Sequence, residues 1–224
     1  MTPDDELLLD PDRRLALSYI PSSRRPAVEA LWRLDAAMGA VLAGGREPMI
    51  SRIKLAWWRE ALEKLDRERA PAEPVLGAIA ANVLPSGVSG AGLAAMEEGW
   101  EVLLSDGPLT PSNLADYARQ RGALLFGISA TLLGGALDEP IRSAGEAWAL
   151  VDLARHSGNS EDMETAIAEA RRRELPRRWP SPLRPLGMLA NLACRDLEPD
   201  RPRWEAQGSP GRMLRMLHHR LSGI

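Results

Sequence analysis

The chain has few aromatic residues other than tryptophan, with seven tryptophans but only two tyrosines and one phenylalanine among 224 residues. It has one cysteine, Cys194, which excludes an intrachain disulfide and a cysteine-based zinc site. No run of 18 apolar residues occurs, so the sequence does not predict a transmembrane helix. The formal net charge of −3 argues against a nucleic-acid-binding protein, because such domains are usually strongly basic.

The first twelve residues, "MTPDDELLLDPD", lack the basic-then-apolar order of a secretory signal peptide. We therefore expect a cytoplasmic protein, either free in solution or peripheral to a membrane. Because this stretch is acidic and contains two prolines, we interpret residues 1–12 as a flexible arm and residues 13–224 as one domain.

Helices are favoured over strands, because alanine and leucine far outnumber β-branched residues. Apolar residues recur at helical spacing between glycine and proline breaks. This pattern predicts helices at about 13–20, 26–43, 48–69, 75–83, 90–104, 111–133, 141–156, 161–173, 183–195 and 210–221. No pair of strands and no internal repeat is evident. The sequence therefore predicts an all-α fold in a single domain.

The helix predicted at 48–69 carries two adjacent tryptophans, Trp57 and Trp58, which point about 100° apart. Its apolar residues form two neighbouring stripes. One stripe contains Ile50, Ile53 and Trp57, and the other contains Trp58. A helix that is apolar over so wide an arc is expected to pack against more than one partner. We therefore expect this helix to be central and both tryptophans to lie in the core.

The surroundings of the tryptophan pair have a more specific order. Glu47 and Pro48 lead to the run "KLAWWREAL", which begins at Lys54 and follows an "ALW" at residues 30–32. This order resembles the squalene/phytoene synthase family. Two further segments are similar to family helices: "LADYARQRGALLF", which contains Tyr117, and "GEAWALVDLARH", which contains Arg155. Together the three segments cover most of residues 13–175.

This resemblance implies the isoprenoid synthase fold, a helical bundle around a deep apolar cavity. It also implies head-to-head joining of two prenyl diphosphates, with Mg²⁺ held by two aspartate-rich motifs on facing helices. The sequence departs from the family at both motifs. The first position, residues 39–43, reads "GAVLA", and the second, residues 156–160, reads "HSGNS". We therefore predict no catalytic residue, no metal site and no cofactor, with Mg²⁺ required only if transferase activity persists.

Candidate binding residues remain in the segments that carry the resemblance. Basic side chains could contact a diphosphate directly, and Tyr117 and Arg121 lie one turn apart on the same helical face. Asp152 and Arg155 follow on the later helix. The predicted substrate-binding set is Lys54, Tyr117, Arg121, Asp152 and Arg155, and the predicted cavity lining is Trp32, Leu125 and Ile128 beside Tyr117. The alternative for these charges is a set of exposed residues and local ion pairs.

Two basic clusters complete the candidates: five arginines within residues 170–178, and the amphipathic helix predicted at 210–221. Either is a solvated surface, or it docks on an anionic membrane or on a partner protein.

Three hypotheses follow from the sequence. The first, which we favour, is a non-enzymatic family member that binds a prenyl diphosphate or prenyl lipid, or assists assembly of a membrane complex. Members that lack the aspartate motifs include mitochondrial complex I assembly factors, and the chain resembles that branch. The second is an active prenyl transferase with displaced ligands, such as Asp35, Asp152 and residues 161–164. The third is a partner-binding helical module without a cavity.

Overall fold

Prolines and glycines divide the chain into short helices. Each helix has an apolar stripe that packs against its neighbours. A computed structural model describes residues 9–44, 47–105, 107–136, 138–198 and 204–224. Among these residues no β-strand occurs, and the prediction of an all-α fold is confirmed. The helices are α1 (Pro11–Ser18), α2 (Arg25–Gly44), α3 (Pro48–Lys64), α4 (Pro74–Asn82), α5 (Gly90–Ala94), α6 (Met96–Val102), α7 (Pro111–Tyr117), α8 (Leu124–Leu132), α9 (Glu139–His156), α10 (Ser160–Arg171), α11 (Arg184–Asp196) and α12 (Pro210–Ser222).

Local sequence signals explain where several helices begin. The Asp10 side chain caps α1 by accepting a hydrogen bond from the Arg13 amide at 3.0 Å. Thr110 caps α7 and forms a capping box with Asn113. Pro11 occupies the first position of α1, where its missing amide hydrogen removes no helical hydrogen bond.

The helix predicted at 111–133 contains a feature that the sequence did not reveal. A π-helical turn, Ala118–Ala123, joins α7 to α8. Such turns are rare and are found frequently at functional sites. Here the turn carries Arg121, whose side chain is almost completely buried.

The central helix is α9, which packs against the π-helical turn and against α8, α10 and α11. The π-helical turn and α9 lie very close together at Gly122 and Gly145. A Cβ atom on Gly122 would lie 2.3 Å from the Gly145 carbonyl oxygen, and the reverse distance is also 2.3 Å. A side chain at either position would prevent this contact. The contact brings Arg121 next to Trp148 of α9.

The prediction that α3 is the central helix is wrong. Trp58 is buried at 8% exposure, but Trp57 is 46% exposed and Ile53 is 63% exposed. One apolar stripe of α3 packs against α2, α5 and α6, whereas no described element covers the other. Helical spacing identifies apolar stripes, but it does not show how many neighbours a helix has.

The flexible arm predicted at residues 1–12 is also wrong for residues 9–12, which the structure describes. Leu9 is buried, Asp10 caps α1, and Asp12 is a buried residue of α1. These residues belong to the domain, because Asp12 forms an ion pair with Arg212 at 2.9 Å. Residues 1–8 lie outside the described residues.

No single helix in the described ranges has the length and apolar character needed to cross a membrane. The helical segments Pro74–Ser86 and Gly90–Val102 meet that test only as a pair, with a bend of 119° between them.

Candidate functional site

A cavity of about 450 Å³ opens between α2, α6, the π-helical turn and α9. On α2 its wall consists of small and apolar side chains: Ala36, Gly39, Leu42 and Ala43. Leu103 and Leu153 extend the apolar wall, while charged and aromatic groups gather at one end. The remaining lining residues are Leu9, Asp10, Arg13, Asp35, Trp100, Tyr117, Arg121, Asp152, His156 and Gln207.

The polar end is organised around Asp35, a carboxylate within the apolar helix α2 that is completely buried. Its Oδ1 accepts a hydrogen bond from Arg121 Nε at 2.8 Å, and its Oδ2 accepts one from Arg121 Nη2 at 3.0 Å. Oδ2 also accepts one from Arg13 Nη1 at 2.9 Å. Both carboxylate oxygens are therefore bound to guanidinium groups.

Arg121 connects Asp35 to the central helix. Its Nη2 lies 2.8 Å from Asp152 Oδ2, and its Nη1 donates a hydrogen bond to the Tyr117 hydroxyl. The guanidinium lies over the rings of Trp100 and Trp148, 4.1 and 4.9 Å from their centroids. These contacts fix the guanidinium in one orientation. We call Arg13, Asp35, Arg121 and Asp152 the inner network.

The electrostatics of the inner network favour its charged form. Burial acts to raise the pKa of Asp35 and of Asp152, but the positive charges of Arg121 and Arg13 outweigh it, and both pKa values lie below their usual range. Burial raises the pKa of the Tyr117 phenol, so its proton is retained. The carboxylates remain ionised and paired at neutral pH.

Both expected aspartate-motif positions contribute residues to the cavity wall. Gly39, Leu42 and Ala43 of α2 lie in its wall, and His156 lies at the end of α9. None of these side chains is a carboxylate. Mg²⁺ requires several oxygen ligands in near-octahedral geometry, and Asp35 and Asp152 are already paired with arginine. Among the described residues no group of three or more His, Cys, Asp or Glu could hold a metal, so the donor set does not fit Mg²⁺.

The acidic residues just beyond α9 do not supply displaced ligands. Glu161 is exposed in the first turn of α10, and the Asp162 carboxylate accepts a hydrogen bond from the Leu109 amide at 2.7 Å. Neither these two nor Glu164 lines the cavity. Of the carboxylates that the transferase hypothesis names, only Asp35 and Asp152 reach the cavity, and both are bound to Arg121.

Arg155, predicted to bind substrate, points away from this cavity. Its Nη2 lies 2.7 Å from Asp196 Oδ2, and its Nη1 donates to the Glu205 carbonyl oxygen at 2.8 Å. Asp196 also accepts two hydrogen bonds from Arg212, at 2.7 and 2.8 Å, and Arg212 pairs with Asp12. We call Asp12, Arg155, Asp196 and Arg212 the outer network.

The other predicted site residues divide between the cavity, the core and the surface. Tyr117, Arg121 and Asp152 come together at the cavity, although binding by them stays a prediction. Lys54 is exposed on α3. Trp32 and Leu125 are core residues, Ile128 is half-buried against the core, and none of the three lines the cavity. The Trp32 indole donates to Ser129 Oγ at 3.0 Å, which explains its position inside the bundle.

Among the residues that sequence reasoning missed, Arg13 belongs to the inner network, and Trp100 and Trp148 lie against its guanidinium groups. Arg13 lies 22 residues from Asp35, in a short helix without a motif. Trp100 carried one usable signal, because tryptophan near an apolar helix end is commonly buried. Nothing in the sequence paired either tryptophan with a particular arginine.

Three of the five arginines in the cluster at residues 170–178 bind partners within the domain. Arg172 pairs with Glu169 at 2.6 Å, and Arg173 pairs with Glu146 at 2.6 Å. Arg171 donates to the Leu197 carbonyl oxygen at 3.1 Å. These three arginines therefore act as ion-pair and hydrogen-bond partners within the domain.

Comparison with known proteins gives one match. The family model described as squalene/phytoene synthase matches residues 9–182. Searches of curated proteins and of solved structures find no match. The matched region contains the whole inner network but not α12 or the outer-network residues Asp196 and Arg212.

Proposed function

The chain belongs to the squalene/phytoene synthase family, and from this premise we propose that it binds a prenyl lipid without magnesium-dependent prenyl transfer. One observation carries the proposal. The cavity keeps a ligand-sized volume, while the wall positions at which the family places its metal ligands hold Gly39, Leu42 and Ala43.

Loss of the metal chemistry follows from the requirements of the reaction. Ionising a prenyl diphosphate needs stabilisation of the departing charge in the transition state, which Mg²⁺ supplies in enzymes of this kind. Asp35 and Asp152 would have to leave Arg121 before they could bind a cation. That exchange would expose a buried guanidinium without its counter-ions, at a high energetic cost.

Retention of lipid binding is supported by the volume and lining of the cavity. Ligand pockets in proteins span about 300–1,000 Å³ and combine apolar walls with a few polar groups. The volume of about 450 Å³ falls within that range. A prenyl chain would lie against Leu42, Ala43 and Leu103, with its head group towards the inner network.

The test is a titration of farnesyl- and geranylgeranyl-chain ligands, as alcohols and as thiodiphosphates, with and without Mg²⁺. Tryptophan fluorescence can report binding because Trp100 lines the cavity. We expect at least one ligand to bind with an affinity that Mg²⁺ does not change, and no diphosphate release from the natural diphosphates. Magnesium-dependent binding with diphosphate release would show instead an active transferase.

A pair of variants locates the binding. Ala36→Phe fills the cavity and should weaken binding by about tenfold or more, because the added ring occupies the volume of the prenyl chain. Ala81→Phe is the matched control, since Ala81 is an exposed residue of α4. If both variants bind as the unmodified protein does, the ligand site lies elsewhere.

A second candidate function is docking at a membrane, as a protein that assists membrane complexes would need. The outer face of α12 favours it, because Leu214 is 70% exposed and Leu221 is 81% exposed. The helix contains arginine and histidine but no acidic residue, a composition suited to an anionic lipid surface. Co-sedimentation with phosphatidylglycerol vesicles should be lost in Leu214→Glu/Leu221→Glu and retained in Ile53→Glu, which alters the exposed stripe of α3. Equal binding by both variants would contradict docking through α12.

A further inference from the structure

The polar end of the cavity indicates which head group the ligand carries. Resting on the prenyl-lipid binding proposed above, we propose that the cavity selects an isoprenoid with an uncharged oxygen head group, such as a prenyl alcohol, over a prenyl diphosphate. Three features of the described residues support this selection: the charge balance of the lining, the occupied donors of Arg121, and the hydroxyl of Tyr117.

The charge balance disfavours an anionic ligand. Three carboxylates line the cavity, those of Asp10, Asp35 and Asp152, against two guanidinium groups, those of Arg13 and Arg121. His156 also lines it and lies 3.5 Å from Asp152 Oδ1. Among the described lining residues no lysine occurs. A diphosphate would therefore bring two or more negative charges to a partly buried wall without excess positive charge, which is costly.

The donors of Arg121 are already used. An arginine has five N–H groups, and here Nε and Nη2 donate to Asp35, Nη2 also contacts Asp152, and Nη1 donates to Tyr117. At most one Nη1 hydrogen is left for a ligand. Recognition of a phosphate by arginine normally uses two parallel N–H bonds, and this guanidinium cannot supply them without breaking the inner network.

The Tyr117 hydroxyl provides the complementary group. It accepts a hydrogen bond from Arg121 Nη1 and therefore keeps its own proton for donation. The side chain lines the cavity, and its hydroxyl would donate to an alcohol or carbonyl oxygen. One neutral donor beside a balanced ion-pair cluster matches one neutral oxygen acceptor.

The experiment compares farnesol with farnesyl thiodiphosphate, which share a chain and differ in head group. Both are titrated by tryptophan fluorescence, without Mg²⁺ and below the concentration at which either ligand forms micelles. We expect farnesol to bind at least about tenfold more tightly, because the thiodiphosphate must be desolvated against a wall that has no excess positive charge. If the thiodiphosphate binds equally or more tightly, the proposed head-group selection is wrong. The proposal that the cavity binds a prenyl lipid would still stand.

Two variants separate the contributions of charge and donor. Asp152→Asn removes one negative charge beside Arg121, so it should strengthen thiodiphosphate binding by about tenfold relative to farnesol binding. Tyr117→Phe removes the hydroxyl donor and should weaken farnesol by about fivefold. Circular dichroism and an unfolding midpoint establish that each variant is folded. If Asp152→Asn leaves the preference unchanged, the charge argument is wrong.

Failure of the selection and failure of the proposed function give different results. If neither ligand binds the unmodified protein, lipid binding itself is wrong. If both bind and Ala36→Phe abolishes both, the cavity is the site and only the head-group selection is in question. If farnesol binds equally to the unmodified protein and to Ala36→Phe, its binding is non-specific and does not support the selection.

Discussion

The inner and outer networks contain the same chemical groups, two aspartates and two arginines each, yet their surroundings differ. The inner network lies at the end of a cavity of about 450 Å³, and in both networks a tryptophan ring lies against a guanidinium group. The outer network joins α1, α9, α11 and α12. It borders a space of only about 30 Å³, which has room for a water molecule but not for a lipid. The size of the neighbouring cavity, and not the ion pairs themselves, therefore distinguishes the candidate binding site from a network that only holds helices together.

The largest effect is expected at the centre of the inner network. Arg121→Ala leaves Asp35 and Asp152 buried without their shared partner, and it should lower the free energy of unfolding by about 3–5 kcal/mol. Urea denaturation measures this. Arg119→Ala is the control, because its ion pair with Asp116 is exposed and is expected to contribute less than about 1 kcal/mol. Similar losses in both variants would contradict a buried inner network.

The corresponding change in the outer network should lower the free energy of unfolding by somewhat less. Arg212→Ala should lower the free energy of unfolding by about 3 kcal/mol, because Asp12 loses an ion-pair partner while Asp196 keeps Arg155. Since Arg212 does not line the larger cavity, farnesol affinity measured on the folded variant should not change. A large loss of affinity would show that the two networks are functionally coupled.

Acidification should act on the inner network. Because the folded-state pKa values of Asp35 and Asp152 lie below the value of about 3.9 for an unfolded chain, the unfolded state takes up these protons first. Their contribution is complete above about pH 4 and is lost as the pH falls through the folded-state values. Asp152→Asn should reduce the loss in unfolding free energy between pH 7 and pH 3. An unchanged loss would contradict the pairing of Asp152.

The smallest effect is expected at Arg155. Arg155→Ala should cost about 1 kcal/mol, because Asp196 keeps both hydrogen bonds from Arg212. Farnesol affinity should change by less than about twofold, since Arg155 belongs to the outer network. A larger loss of affinity would restore the sequence-based assignment of Arg155 to substrate binding.

The sequence predicted local features of this molecule better than its long-range contacts. Helical spacing and breaks gave helix positions close to those observed, and the one-turn separation of Tyr117 and Arg121 correctly predicted that they share a face. The same reasoning could not place Arg155, because both the cavity and the outer network lie within reach of α9. It also assigned Trp57 to the core, since spacing alone does not show that a stripe lacks a covering partner.

The adjacent positions of Asp12 and Arg13 on α1 have a consequence for the order in which the molecule is built. Arg13 bonds to Asp35, 22 residues away, whereas Asp12 bonds to Arg212, 200 residues away. During synthesis the chain leaves the ribosome from its N-terminal end. The groups of the inner network can therefore meet before α12 has been translated. The part of the cavity wall that residues 9–156 supply can therefore form on a nascent chain, and Arg212 then attaches α12 to it.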